Sequence, residues 1–124
     1  MVRFDFPQKF LYEPNSAILK SGGFNSIAEK LNLHKLQQHS HLYTSNTISE
    51  FPGRRFKIES VIDYNKKLLK KLRHTQANVT TRNFPESVKH IRNKFHIKDG
   101  GNTYLFFTTN YLNKKIVIIC SKFD

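Results

Sequence analysis

The sequence predicts an α+β fold in which small split βαβ units build a mixed or antiparallel sheet. The first observation behind this prediction is that strand-like alternation and helix-like periodicity follow one another along the chain. The second is the run from Val79 to Thr109, whose pattern indicates a strand, a basic helix, a glycine turn and a strand. A length of 124 residues with 11 Phe suffices for one ordinary domain, or for two very small ones that share a core.

A strand and a helix are predicted first. Aromatic residues at even positions favour a strand over residues 4–12, with a break at Pro7 because proline has no N–H to donate. Asn15 or Ser16 can then cap a helix. We expect this helix to bend, or to divide into two pieces, at Gly22-Gly23.

Two strands are predicted in the middle of the chain. Leu42 and Tyr43 favour a strand late in the polar segment 33–45. Residues 55–62 alternate polar and apolar side chains, which predicts the clearest amphipathic strand. The side chains expected to face inward on that strand are Phe56, Ile58 and Val61.

Two basic helices are predicted in the C-terminal half. The first covers residues 66–74, and Asp63 or Asn65 can cap it. The second begins after Ser87, whose side chain can accept a hydrogen bond from a backbone N–H one turn on. Helical spacing predicts that both helices bury one apolar face. The inward residues are Leu68, Leu69 and Leu72 on the first helix, and Val88, Ile91 and Phe95 on the second.

Three strands accompany the second basic helix. β-branched residues favour a strand over 79–81, and the apolar runs 103–109 and 115–122 favour a hairpin. Gly100-Gly101 can adopt the positive φ of the turn that precedes the hairpin. Cys120 lies in the last strand, where a small buried thiol is the ordinary interpretation.

The net charge of +12 is large for so short a chain. Such an excess indicates a polyanionic partner, with nucleic acid first and an anionic membrane surface second. A membrane surface would also require a helix with a broad apolar face, and charge that serves only solubility is the remaining interpretation. Residues 1–62 carry a net charge of +3, from 8 Lys/Arg and 5 Asp/Glu, whereas residues 63–124 carry +9, from 13 and 4. The C-terminal half is therefore the predicted binding surface.

The cysteine count and the hydropathy pattern predict a soluble, cytoplasmic protein. A single cysteine cannot form an intrachain disulfide, which favours a reducing compartment. No apolar run is long enough to cross a bilayer, and residues 1–10 lack the apolar core of a signal peptide.

No pattern in the sequence indicates a cofactor or metal site. A nucleotide-cofactor site of the Rossmann type needs a glycine-rich turn between a strand and a helix, and neither Gly22-Gly23 nor Gly100-Gly101 has that setting. His39 and His41 point the same way in a strand-like segment, but no third ligand is spaced with them. We therefore expect no cofactor and no metal on this chain.

Catalytic residues are likewise not indicated. Cys120 lies in an apolar strand, and no Ser-His-acid set can be argued from residue order. Glu13, Glu59 and Asp99 are scattered, and we expect them to cap helices, form turns or pair at the surface. An enzyme would require a deep pocket that brings the histidines at 39 and 41 together with a carboxylate.

Binding is the function that remains. Cations on the outward faces of the two basic helices can gain affinity for phosphates through counterion release, although a solvated helix face is the plainer interpretation. Arg82 and Asn83 lie between a strand and a helix, where Arg can hold a phosphate and Asn can bond a base edge. The predicted nucleic-acid-binding residues are Lys66, Lys67, Lys70, Lys71, Arg73, Arg82, Asn83, Lys89, Arg92 and Lys94. The candidates for base stacking are Tyr43, Tyr104 and Tyr111.

Several motifs resemble one protein family. They are LYEPNSAILKSGGF (11–24), SHLYTS (40–45), FPGRRFKIESV (51–61), TRNFPESV (81–88) and KDGGNTYLF (98–106). Together they are similar to the C-terminal region of a bacterial class I SAM-dependent methyltransferase family. In that family a catalytic Rossmann domain precedes a ferredoxin-like and a THUMP-like domain.

The resemblance implies a ferredoxin-like part over residues 1–62 and a THUMP-like part over residues 63–124, or one core that both share. It implies an RNA-binding accessory region that presents tRNA or rRNA to a catalytic domain absent from this chain. SAM would bind to that domain, so this chain alone would not be an enzyme. The alternative is a protein–protein interaction module that docks the methyltransferase domain or another acidic partner. An exposed apolar patch around Phe4, Phe6 and Phe10, found together with no contiguous positive surface, would favour that alternative.

Overall fold

The computed structural model describes residues 3–21 and 24–123 of the protein. The strands are β1 (Arg3–Phe4), β2 (Phe10–Pro14), β3 (His34–Lys35), β4 (Tyr43–Ser45), β5 (Gly53–Asp63), β6 (Asn78–Arg82), β7 (Thr103–Thr109) and β8 (Lys115–Lys122). The helices are α1 (Ser16–Ser21), α2 (Phe24–Lys30), α3 (Lys66–Leu69), which continues as the 3-10 turn Lys70–Leu72, and α4 (Val88–Phe95). The predicted α+β class is confirmed.

The strands of the described residues form one 8-stranded sheet in the order β1-β3-β4-β2-β5-β8-β7-β6. β1 pairs with β3, and β6 with β7, in parallel, whereas the other neighbouring strands are antiparallel. The sheet is therefore mixed, as the sequence predicts. β5 connects the two halves of the sheet because it pairs with β2 on one side and β8 on the other.

Both faces of the β7–β8 hairpin are covered. On one face Leu105, Phe107 and Val117 pack against the two basic helices, through Leu69, Leu72, Ile91 and Phe95. On the other face Phe106 and Ile118 pack against residues of the N-terminal half, which are Leu11, Leu36, Leu42 and Phe56. Strands buried on both faces need apolar side chains at successive positions. This requirement explains the unbroken apolar runs in both strands of the hairpin.

The predicted break at Pro7 is confirmed, and the strand predicted late in segment 33–45 is present as β4. Residues 4–12 contribute to β1 and to β2, with Pro7 between them, and residues 33–45 contribute to β3 and β4. The intervening backbone makes other contacts: the Gln8 N–H donates to the Thr44 hydroxyl at 2.7 Å. A tertiary hydrogen bond therefore links the segment after the Pro7 break to β4.

The prediction that Val61 faces inward is wrong. The register between β5 and β8 shifts between Ile58 and Ser60, which inserts a bulge into β5. The shift reverses which side chains of β5 face inward. Val61 is therefore 40% exposed, while Ile62 packs against the core beneath the two basic helices. Phe56 is fully buried and Ile58 is half-buried, as predicted.

The first basic helix is shorter than predicted. Its 3-10 turn ends at Leu72, and Arg73 is already extended. The next residue, His74, has a positive φ of 61° and donates its N–H to the Phe95 carbonyl at 2.9 Å. The contact with the end of α4 thus stops the helix before residue 74. Leu69 and Leu72 are buried as predicted.

α4 follows its sequence pattern closely. The Ser87 hydroxyl accepts a hydrogen bond from the His90 N–H at 3.1 Å, which confirms the predicted cap. Ile91 and Phe95 are buried, and His96 ends the helix in the left-handed conformation. The glycine turn before β7 is also confirmed, since φ is 104° at Gly100 and 80° at Gly101.

Cys120 is buried as predicted, and burial raises the pKa of its thiol to about 12. No helix among the described residues is long and apolar enough to cross a membrane. The predicted bend at Gly22-Gly23 and the predicted orientation of Leu68 lie outside the part of the chain that the structure describes.

Candidate nucleic-acid interface

The two basic helices line one cleft of about 470 Å³, which we call the helix cleft. α3 with its 3-10 turn forms one side, and α4 forms the other. Four of the predicted phosphate-binding cations lie here, and they are Lys66, Lys70, Arg73 and Lys94. Tyr64, Leu69 and Phe95 provide an apolar floor between them. The structure thus brings together cations that the sequence assigned to separate helices.

Helical geometry explains why the α3 cations converge. Lys66, Lys70 and Arg73 are spaced four and three residues apart, which places them on one side of α3 and its turn. Leu72 packs into the core, and Leu69, three residues after Lys66, is buried at the bottom of the same cleft. Within residues 3–21 and 24–123 these three cations form no ion pair, so their charge faces the cleft uncompensated.

Among residues 3–21 and 24–123, Lys94 is the helix-cleft cation whose side chain has fixed partners. Its Nζ lies 3.2 Å from the Tyr64 hydroxyl and 3.4 Å from Glu86 Oε1, and the same hydroxyl donates to the other Glu86 oxygen. The hydrogen bond with Tyr64, followed by the charge of Glu86, raises the pKa of Lys94. Burial alone would raise the pKa of Glu86, but the Tyr64 hydrogen bond and the Lys94 charge together lower it. Burial and the bond to Glu86 raise the pKa of Tyr64. The group is therefore a neutral phenol between a carboxylate and an ammonium at neutral pH.

Arg82 lies in a second cleft, of about 340 Å³, which we call the seam cleft. Its lining residues are Glu13, Pro14, Asn15, Ser16, Leu19, His41, Gly53, Arg54 and Arg82. Arg82 Nη2 lies 2.5 Å from Glu13 Oε2, and Arg54 Nε lies 2.6 Å from Glu13 Oε1. Glu13 is only 7% exposed, so the expectation that it pairs at the surface is wrong. A carboxylate at this buried position of β2 requires cations, and two arginines supply them.

His41 also lines the seam cleft. Burial lowers the pKa of His41, and the nearby charges of Lys35, His39 and Arg82 lower it further. Its φ of 52° places it in the left-handed region. The loop that carries His39 and His41 therefore lies next to Arg82. Because its pKa is lowered, the His41 imidazole is neutral at pH 7.

The other predicted site residues lie outside the two clefts. The Asn83 amide donates to Gln37 Oε1 at 3.0 Å. Arg92 pairs with Asp99 at 2.9 Å and also donates to the Ala77 and Ile97 carbonyls, so it fixes the turn after α4. The remaining lysines are exposed and line neither cleft, and they are Lys67, Lys71 and Lys89.

The three candidate stacking tyrosines differ in how accessible their rings are. Tyr43 is 1% exposed, and burial raises its pKa to about 12. Tyr104 packs against Phe56 with ring centroids 5.1 Å apart. Tyr111 is partly exposed and contacts Phe6 at 4.9 Å. Base stacking at Tyr43 is therefore excluded by burial.

Sequence reasoning missed the partners of the predicted cations. Tyr64 was not assigned a role, although it follows a strand and precedes the lysines of α3. Glu13 was assigned to the surface, although an acid in the otherwise apolar and aromatic run FLYEP is the pattern of a buried charge that needs a partner. The identity of that partner, 69 residues away in the case of Arg82, is not a local property of the sequence.

The described residues therefore define an α+β module in which one mixed sheet joins an N-terminal half to a C-terminal half that carries two basic helices. Residues 10–52 match a family described as a ferredoxin-like domain, and residues 53–122 match one described as THUMP domain-like. The chain belongs to this THUMP domain-like family. No curated protein matches the chain. The predicted division at residue 62 stays a prediction.

A solved structure matches the whole chain. It is a crystal structure of a protein from Porphyromonas gingivalis W83 that bears the name of a methyltransferase. The match covers 100% of this chain with 38% sequence identity and a TM-score of 0.92. This chain covers 32% of that protein, so it spans about a third of its length. The resemblance to a ferredoxin-like and THUMP-like region associated with a methyltransferase is confirmed.

Proposed function

We propose that the chain is the RNA-binding accessory region of a methyltransferase and presents RNA, of the tRNA or rRNA class, to a catalytic domain elsewhere in the parent protein. The observation that carries this proposal is the convergence of Lys66, Lys70, Arg73 and Lys94 on one cleft. Phosphates that bind several cations release counterions, which favours binding. The net charge of +9 on residues 63–124 supports the same surface.

The catalytic part of the proposal rests on the structural match. The matched protein bears the name of a methyltransferase, and this chain covers only 32% of it. We propose that the parent protein is a SAM-dependent methyltransferase and that SAM binds to its remaining part. The present chain then contributes affinity for substrate RNA and no chemical step.

RNA binding is tested by fluorescence anisotropy with labelled tRNA and rRNA fragments at several salt concentrations. Four phosphate contacts predict a slope of log affinity against log salt of about −3 to −4. The variant Lys66→Met/Lys70→Met/Arg73→Met should weaken binding by about 10- to 100-fold and flatten this slope. Binding that is absent at low salt would overturn the proposal.

The matched control is Lys67→Met/Lys71→Met/Lys89→Met. It removes the same charge from exposed lysines that do not line the helix cleft. We expect it to weaken binding less than about 3-fold, because it changes only the long-range field. Equal losses in both triple variants would show that net charge, and not the cleft, determines affinity.

A second candidate function is docking of a protein partner, and an exposed apolar patch favours it. Phe4 is 47%, Phe6 45% and Leu112 52% exposed, and Phe6 contacts Tyr111. Phe10, which the sequence assigned to this patch, is half-buried and packs against Phe123 instead. The remainder of the parent protein is the partner we propose for the patch. Phe4→Ser/Leu112→Ser should weaken its association with that remainder, supplied in trans, without changing RNA affinity.

A further inference from the structure

We infer that the helix cleft receives one unpaired nucleotide of the RNA, with its phosphate at the cations and its base against the Tyr64 ring. The inference rests on the proposed RNA binding and specifies which part of the RNA enters the same cleft. It follows from the arrangement of the cleft, in which cations form the rim and Tyr64, Leu69 and Phe95 form the apolar floor.

The rim is suited to a phosphate. Lys94 is held in place by Tyr64 and Glu86 before any ligand arrives, so one cation is already positioned. Lys66, Lys70 and Arg73 form no ion pair among the described residues and can turn toward a phosphate without breaking one. Positioned and adjustable cations together favour an anion that enters from solvent.

The floor is suited to a base. The Tyr64 ring is the part of the floor that a base can contact, because it is half-buried, whereas Leu69 and Phe95 are only 3% and 6% exposed and pack beside it in the core. Lys94 Nζ lies 5.4 Å and 5.5 Å from the ring centroids of Tyr64 and Phe95, so the cation lies next to the aromatic surface. Bases stack on such surfaces in single-stranded nucleic acids. A volume of about 470 Å³ lies within the range of sites that hold small molecules.

A paired duplex fits this arrangement less well. Its phosphates face outward, but its bases are stacked inside the helix and cannot reach an apolar floor below the cations. An unpaired nucleotide in a bulge, loop or end offers phosphate and base together. The seam cleft offers no equivalent site, because the Glu13 carboxylate lies between its arginines and repels a phosphate.

The experiment compares two RNA hairpins that differ only by one bulged 2-aminopurine nucleotide. We expect the bulged hairpin to bind about 5- to 100-fold more tightly, which is the range for stacking of one base. Stacking in the cleft should also lower the 2-aminopurine fluorescence on binding. Tyr64→Leu, which keeps an apolar side chain but removes the ring, should reduce the preference for the bulged over the paired hairpin. Any loss caused by releasing Lys94 from the Tyr64 hydroxyl affects both hairpins equally and cancels in this ratio.

A competition measurement does not depend on the folding of a variant. A nucleoside monophosphate should displace the bulged hairpin at a lower concentration than ribose 5-phosphate, because only the former carries a base. Equal binding of both hairpins with unchanged fluorescence would overturn the base contact and leave the proposed RNA binding intact. Failure to bind either hairpin would overturn both.

Discussion

The helix cleft and the seam cleft are both lined by cations from elements that are distant in sequence, yet the cations differ in their counter-charge. In the seam cleft Arg54 and Arg82 each contact the carboxylate of Glu13. In the helix cleft Lys94 contacts Glu86, but Lys66, Lys70 and Arg73 meet no carboxylate among the described residues. The difference shows that a cation count does not identify a binding surface. The buried acid decides whether a cation stabilises the fold or remains available for an external anion.

The position of Glu13 explains why the seam cations serve the fold. Glu13 lies in the segment that matches the ferredoxin-like domain, whereas Arg54 and Arg82 lie in the segment that matches the THUMP domain-like family. The two ion pairs therefore join the two matched segments. A carboxylate that is 7% exposed loses its hydration on folding, and paired guanidinium groups compensate for that loss.

The largest expected effect concerns the close approach of β2 and β5 at the seam cleft. A Cβ added at Gly53 would lie 2.1 Å from the Glu13 carbonyl oxygen and 2.9 Å from the Pro14 Cα. Gly53→Ala must therefore separate the two strands, and we expect the free energy of unfolding to fall by about 3 kcal/mol. Urea denaturation measures this change. Ser60→Ala, at an exposed position of the same strand, is the control, and an equal midpoint for both variants would refute the close approach.

The second prediction separates stability from RNA affinity at the seam cleft. Glu13→Gln removes the charge that pairs Arg54 and Arg82, and we expect a loss of about 2 kcal/mol in unfolding free energy. This figure is below that for a fully buried pair because the arginine side chains are 45% and 40% exposed. RNA affinity should stay the same or rise, since a negative charge is lost. Weaker RNA binding by the folded variant would contradict the assignment of these arginines to the fold.

The third prediction is the converse for the helix cleft. Lys70→Met should change the free energy of unfolding by less than about 0.5 kcal/mol, because Lys70 is exposed and unpaired among the described residues. The same variant should reduce the salt slope of RNA binding by about 0.7 to 0.9. Lys71→Met, one residue along and outside the cleft, should leave the slope unchanged. Identical slopes for the two variants would remove the distinction between the cleft and its surroundings.

The smallest effect is a pH dependence confined to the seam cleft. Burial and neighbouring cations hold the pKa of His41 below its ordinary value, so the folded state binds this proton less well than the unfolded state. The resulting stability is complete above a pH of about 6.5 and is lost as pH falls through the lowered pKa. Between about pH 8 and about pH 5, the wild type should therefore lose more stability than His41→Asn. Asparagine tolerates the positive φ at this position, and equal losses would contradict the prediction.

Local sequence determined the elements whose signals lie within a few residues. Ser87 with the spacing of Ile91 and Phe95 specified α4, because a cap and a 3.6-residue period are short-range properties. The apolar runs 103–109 and 115–122 specified the hairpin, because two strand-like segments separated by a short loop are also a short-range pattern. The higher net charge of residues 63–124 is also a property of the sequence alone, and it predicts that the binding surface lies in the C-terminal half.

Only the tertiary structure decided where the charges act. The bulge in β5 turned Val61 outward, and contact with the end of α4 stopped the first basic helix at Leu72. Glu13 and Arg82 became partners across 69 residues, whereas Lys70 and Lys94 came to face one cleft. Propensity and periodicity describe a residue and its neighbours along the chain. The counter-charge of a cation depends on which strands and helices pack together, and that is settled only when the whole sheet forms.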